Sequence, residues 1–176
     1  SVGGKALTAK VPEFGRLVAE ITGDCDLCNL ERIKELVTIA RSKMQAQVIP
    51  GGHRFAARRL AAYYSQVGHY REATSGLTQY YFLEQLEKDL ASSPDEVLAD
   101  LQTIRRHIFS RQGMHVHVTG GGDELAAVQA ALPTMLDVLG DTRYEPEIYT
   151  FEPLPQNEGF IIPSKIQYVG KGANLY

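Results

Sequence analysis

Apolar residues recur along most of this chain at three- and four-residue intervals, the spacing that gathers side chains onto one face of a helix. Val11, Phe14, Leu17, Val18 and Ile21 predict a short helix over Val11 to Ile21, with Pro12 in its first turn, where a missing N–H is harmless. After a loop from Gly23 to Cys28, Asn29 is placed to cap a longer helix whose stripe is Leu30, Ile33, Leu36, Val37, Ala40 and Met44, ended by Pro50-Gly51-Gly52. A third helix is predicted from His53 to Val67, with Phe55, Ala56, Leu60, Tyr63 and Tyr64 on its buried side and Gly68 closing it. The turn at Ser75-Gly76 opens a fourth, striped by Leu77, Tyr80, Tyr81, Leu83, Leu86 and Leu90. Ser93-Pro94-Asp95-Glu96 has the form of a capping box with Pro at the first helical position, and the fifth helix it starts carries Val97, Leu98, Leu101, Ile104 and Ile108 before Gly113.

At Met114 the period changes. Met114, Val116 and Val118 alternate with His115, His117 and Thr119, the pattern of a strand with one buried face, broken by Gly120-Gly121-Gly122. A sixth helix from Asp123 to Leu139 uses Leu125, Val128, Leu132, Met135, Leu136 and Leu139, with Pro133 expected to bend or divide it and Gly140 to supply a left-handed stop. Pro146, Pro153 and Pro155 space out an extended connector, and Gly159 to Ile162 and Lys165 to Val169 read as two short strands around Pro163. Helices followed by strand, helix and strand predict an α+β class, a helix-rich layer packed on an antiparallel sheet.

With 176 residues and 44% hydrophobic content, the chain is long enough to bury a core. A net charge of −3, with no basic run longer than Arg58-Arg59 or Arg105-Arg106, gives no footprint for nucleic acid. No apolar stretch approaches the roughly 18 residues that suggest a membrane-spanning helix, and a charged-then-apolar leader pattern is missing from the amino terminus. Nucleic acid and membrane are therefore not expected partners. A start at Ser1 without Met and an end at Tyr176 read as domain boundaries.

Each candidate for chemistry lacks a component. Cys25 and Cys28 have the spacing of half a zinc site or of a redox dithiol, but no second Cys pair or strand-then-helix context accompanies them, which favours ordinary cysteines in a loop. His69-Tyr70-Arg71-Glu72-Ala73 approaches the His-x-x-Glu-His of inverse zincins, with Ala73 where the second imidazole belongs. His115 and His117 share a strand face at a workable metal spacing without an acidic or Cys ligand nearby, and the polar face of an alternating strand explains them more simply. The glycines at 120 to 122 lack the rest of a P-loop or dinucleotide fingerprint, and Asp123 would repel an anion. Tyr63, Tyr64, Tyr80 and Tyr81 could line a peptide surface, although their helical spacing favours core.

Three stretches resemble the non-catalytic half of large zinc peptidases of the pitrilysin and insulinase type, in the branch containing presequence protease and falcilysin. They are Gly52-His53 with Ala56, Arg59, Leu60, Ala61, Glu72, Gly76, Tyr80, Tyr81, Leu83 and Leu86; His117-Val118-Thr119-Gly120; and Asn157-Glu158-Gly159-Phe160 with Pro163 through Gly172. The resemblance implies a metallopeptidase-like α+β domain, incomplete here, with residues 1–155 the later part of a third domain and 156–176 a linker and the first strands of a fourth. It implies a chamber that admits unfolded peptides, with zinc in the amino-terminal half of the parent protein and no cofactor in this chain. It transfers no catalytic residue and no metal ligand, and leaves substrate-binding residues unknown. The Arg and Tyr that the family draws from its last domain find no match before Tyr176. The implied partners are the remaining domains of the same polypeptide and a peptide substrate, in the cytoplasm or an organellar matrix. Apolar surface uncovered by removing those domains also allows a homodimer of the isolated piece. The competing expectations are an independent protein-interaction module and a small metal-binding protein using Cys25, Cys28 and histidines.

Overall fold

The structure, a computed structural model, describes residues 1–152, 154 and 157–173. Pro153 and Pro155 of the expected connector, and Tyr176, lie outside them. The described residues form seven α-helices: α1 Val11–Ala19, α2 Leu30–Val48, α3 Gly52–Ala62, α4 Gln66–Ser75, α5 Leu77–Ser92, α6 Pro94–Ile108 and α7 Gly122–Leu136. A 3-10 turn, Thr8–Lys10, leads into α1, and a π turn, Glu20–Asp24, follows it.

Two compact units divide these elements, one holding Ser1–Cys28 and Leu98–Pro146, the other Asn29–Val97 and the described residues from Glu147 onward. In the first, α1 packs on α7 around Val11, Ala131 and Met135, with Phe14, Val18, Val128 and Leu132 against them. Gly15 sets how closely the helices approach, since a Cβ there would lie 3.3 Å from both the Ala131 methyl and the Met135 terminus. In the second unit α5 packs on α2 and α4, and α4 packs on α3. Its core contains Phe55, Ala62, Leu77, Leu83 and Leu90.

The α+β expectation is wrong: among the described residues there is no strand and no sheet, only an isolated parallel bridge between Ser110 and Gly140. Met114 to Val118, Gly159 to Ile162 and Lys165 to Val169 lack helical structure, yet none pairs in a ladder. Alternation states which side chains share a face, whereas a strand also needs a neighbour for its N–H and C=O groups. Val116 is 48% exposed and Ile161 and Val169 are almost wholly so, while Tyr168 is half-buried against α3 and not against a neighbouring strand.

Local chemistry accounts for the helices and for where they differ from expectation. Asn29 caps α2, its side chain accepting from the Arg32 N–H at 3.0 Å. The predicted helix from His53 to Val67 is instead α3 followed by α4, because Ser65 takes extended backbone and its hydroxyl accepts from the Gly68 N–H at 2.9 Å. Gly68 therefore lies inside α4, where a Cβ would collide with the Ala61 carbonyl oxygen. The helix α7 runs through Pro133 to Leu136. Gly113, at φ 76°, is the glycine with positive φ, and Gly140 does not adopt that conformation. Leu90, 1% exposed, anchors α5, while Phe82 on the same helix is 55% exposed. We expect Leu90→Ala to lower stability in urea unfolding by about 3 kcal/mol and Phe82→Ala by less than about 0.5 kcal/mol; comparable losses would show that the core is placed wrongly.

Candidate functional site

The densest polar constellation lies in the second unit, where α3, α4 and the start of α5 meet residues 157–172. Arg59 occupies the buried stripe of α3, one turn after Phe55 and nearly one before Ala62. Its Nε and Nη2 donate to the two oxygens of Glu158 at 2.7 and 2.6 Å, a two-point fork on a carboxylate. Nη1 turns the other way, donating to Glu72 Oε1 at 3.3 Å and Thr78 Oγ1 at 3.0 Å. The guanidinium also lies 5.6 Å from the centroid of the Phe160 ring. Tyr63 donates its hydroxyl to Glu158. The side chains of Arg59 and Glu158 are 13% and 17% exposed, and that of Glu72 is not exposed at all.

Glu72 Oε1 also accepts from the Thr78 N–H at 3.1 Å and its hydroxyl at 3.4 Å, whereas Oε2 is buried without a partner. Glycine is required beside it, because a Cβ on Gly76 would overlap Oε2. Gly52 plays a similar part at the start of α3, where a Cβ would run into the Tyr168 ring. Tyr168 donates to the Ile49 carbonyl at 2.7 Å, and Tyr64 donates to that of Gly172 at 2.6 Å. These contacts lay residues 157–172 along α3 as a strap, bordering a cavity of about 690 Å³ lined by Phe55, Arg59, Tyr63, Glu158, Phe160 and Tyr168.

Charge pairing tunes the groups. The hydrogen bond from Arg59 holds Glu158 below its ordinary value of 4.5 against the opposing effect of burial. Glu158 in turn raises Arg59, and burial followed by the bond to Glu158 raises Tyr63. In α5, Tyr80 is raised first by its hydrogen bond to Glu84.

The sequence candidates fall in different places. Glu72 is committed to Arg59 and Thr78, Ala73 offers no ligand, and the His69 ring stacks on Phe151 at 4.5 Å, so these residues do not fit a zinc ion. Among the described residues no group of three or more His, Cys, Asp or Glu side chains could hold a metal. His115 and His117 are exposed with ring centroids 6.4 Å apart. Cys25 and Cys28 are exposed free thiols. Asp123 and Glu124 occupy the first turn of α7, where their charge opposes an anion. Tyr63 and Tyr80 are half-buried and hydrogen-bonded, while Tyr64 and Tyr81 are exposed. The sequence reading missed the ionic cluster itself. Its signal was an Arg on an apolar helix face, and a Glu with glycines four residues to either side at 68 and 76.

Residues 1–86 match the family model described as peptidase-associated, for subfamily C of the M-sixteen peptidases. Protein HypA of Clostridium perfringens is 30% identical over 170 residues, 97% of this chain and 17% of that protein. Presequence protease 1, chloroplastic/mitochondrial, of Arabidopsis thaliana is 28% identical over 176 residues, 99% of this chain and 16% of that protein. The mitochondrial presequence protease of Yarrowia lipolytica is 29% identical over 121 residues, 68% of this chain and 12% of that protein. The chain thus spans about a sixth of the length of the first two relatives.

Because Glu158 is depressed in the folded state, its contribution to stability is present above the carboxylate's ordinary value and is lost as pH falls from there through the depressed one. We expect the thermal midpoint of the native protein to fall more steeply below about pH 4.5 than that of Glu158→Gln; superimposable pH profiles would contradict the pairing. At neutral pH the substitution should lower stability by about 2 kcal/mol, the Arg59 charge keeping Glu72 as a partner.

Proposed function

With residues 1–86 belonging to the peptidase-associated family of subfamily C of the M-sixteen, pitrilysin-type peptidases, we propose that this chain is a non-catalytic part of a zinc-dependent metallopeptidase that degrades unfolded peptides. In this reading it forms part of the wall of the substrate chamber. The observation that carries it is similarity along 97% and 99% of the chain to much longer proteins, one of them named a presequence protease. The side-chain chemistry supports the same reading, since the densest charged cluster is occupied with internal pairing. A wall excludes folded proteins and bulk water from the peptide, and motion of its parts governs entry and release. The reactive zinc would be held by residues outside this chain, and the partners here would be the other domains of one polypeptide. The names of two relatives assign those proteins to mitochondria or chloroplasts, which supports an organellar location for this one.

Two measurements test the proposal. Residues 1–176 alone should hydrolyse no unfolded peptide, whereas the full-length protein should do so in a way abolished by chelation and restored by zinc. In full-length protein inactivated at its zinc site, a bound peptide carrying a photoreactive benzophenone should crosslink to this segment. Crosslinks confined to other segments would remove the chamber-wall role, and hydrolysis by residues 1–176 alone would overturn the non-catalytic one.

A further inference from the structure

We infer that Arg59 is a relay between two carboxylates, and that residues 157–172 are a strap built to leave α3 without stranding a buried charge. This goes beyond the chamber proposal and does not depend on it. Arg59 already touches both acids: two N–H groups on Glu158 of the strap and one on Glu72 of α4. The two acids are unlike. Glu158 travels with the strap, whereas Glu72 is fixed in the helical layer with no exposed surface and an unpartnered Oε2.

Breaking an ordinary buried ion pair leaves one charge dehydrated and alone, which resists opening. Here the guanidinium that loses Glu158 has a second carboxylate within reach, 3.3 Å from Nη1, with an oxygen waiting for a donor. Turning the fork toward α4 would bring a second N–H to the Glu72 carboxylate. Beyond the fork the strap is held by the Tyr63 hydroxyl on Glu158, by single hydrogen bonds from Tyr168 and Tyr64 to backbone carbonyls, by Phe160 against the guanidinium and by the Tyr168 ring on Gly52. Ile161, Ile166 and Val169 keep most of their surface in water. Apolar burial along the strap is thus confined to a few side chains, and a segment held at a few points can open locally while its surroundings stay folded.

Hydrogen exchange on the full-length protein distinguishes a relay from a static tie. Glu158→Gln should raise exchange across residues 159–172 by on the order of tenfold, the effect of about one net hydrogen bond, with α4 and α5 unchanged. Glu72→Gln should do the opposite, slowing exchange in the strap, because the released state then holds an unpaired Arg59. A static tie predicts faster exchange for both variants, and that outcome, or no change in Glu158→Gln, would overturn the inference. If Glu72→Gln fails to fold, a crystal structure of Glu158→Gln decides the matter: Arg59 should then place two N–H groups on Glu72, and a guanidinium that keeps its single bond to Glu72 or turns to solvent would overturn the relay.

Discussion

A carboxylate without any surface in water organises the unit made by α2 to α5. Removing an ionised acid from water costs several kcal/mol unless a cation and hydrogen-bond donors replace the lost hydration, and Glu72 draws those replacements from neighbouring helices. The cation is Arg59 of α3, the donors come from Thr78 of α5, and the space comes from Gly76 between α4 and α5. One side chain thereby fixes three helices relative to one another more narrowly than apolar packing does, because hydrogen bonds have direction and dispersion contacts do not. The opposite face of the same guanidinium then serves Glu158.

The helices were legible because burial on one side leaves a periodic trace. Five of the six predicted helices have a single counterpart, the one expected from His53 to Val67 is divided into α3 and α4, and Asn29 caps α2 as its position required. Failures occurred where the trace was ambiguous. A glycine in a helical pattern can be a stop or a point of close approach, and Gly68 is the second, facing the Ala61 carbonyl. The stripe of α2 is apolar, yet no residue of that helix is fully buried, and its contact with α5 includes Thr38 and Arg41 paired with Glu87. Alternation at Met114 to Val118 described a face without supplying a neighbouring strand, so the sheet inferred from it is missing among the described residues.

The site was half legible. Arg59, Glu72, Gly76 and Glu158 all stood among the residues that carried the family resemblance, but nothing local joins an Arg to a Glu 99 positions away. Their meeting depends on the path of the chain after residue 157, which propensity does not determine. A resemblance can thus mark residues whose shared purpose becomes visible only when the backbone brings them together.

Tyr168 rests on bare backbone at Gly52, while Glu158 grips the same helix at Arg59. Two moorings on one rigid rod fix the span of chain between them. Substitutions in the intervening segment can be absorbed, since its side chains mostly face solvent, but a single inserted or deleted residue would pull one mooring off its seat. The geometry of this stretch therefore tolerates a changed side chain far better than a changed number of residues.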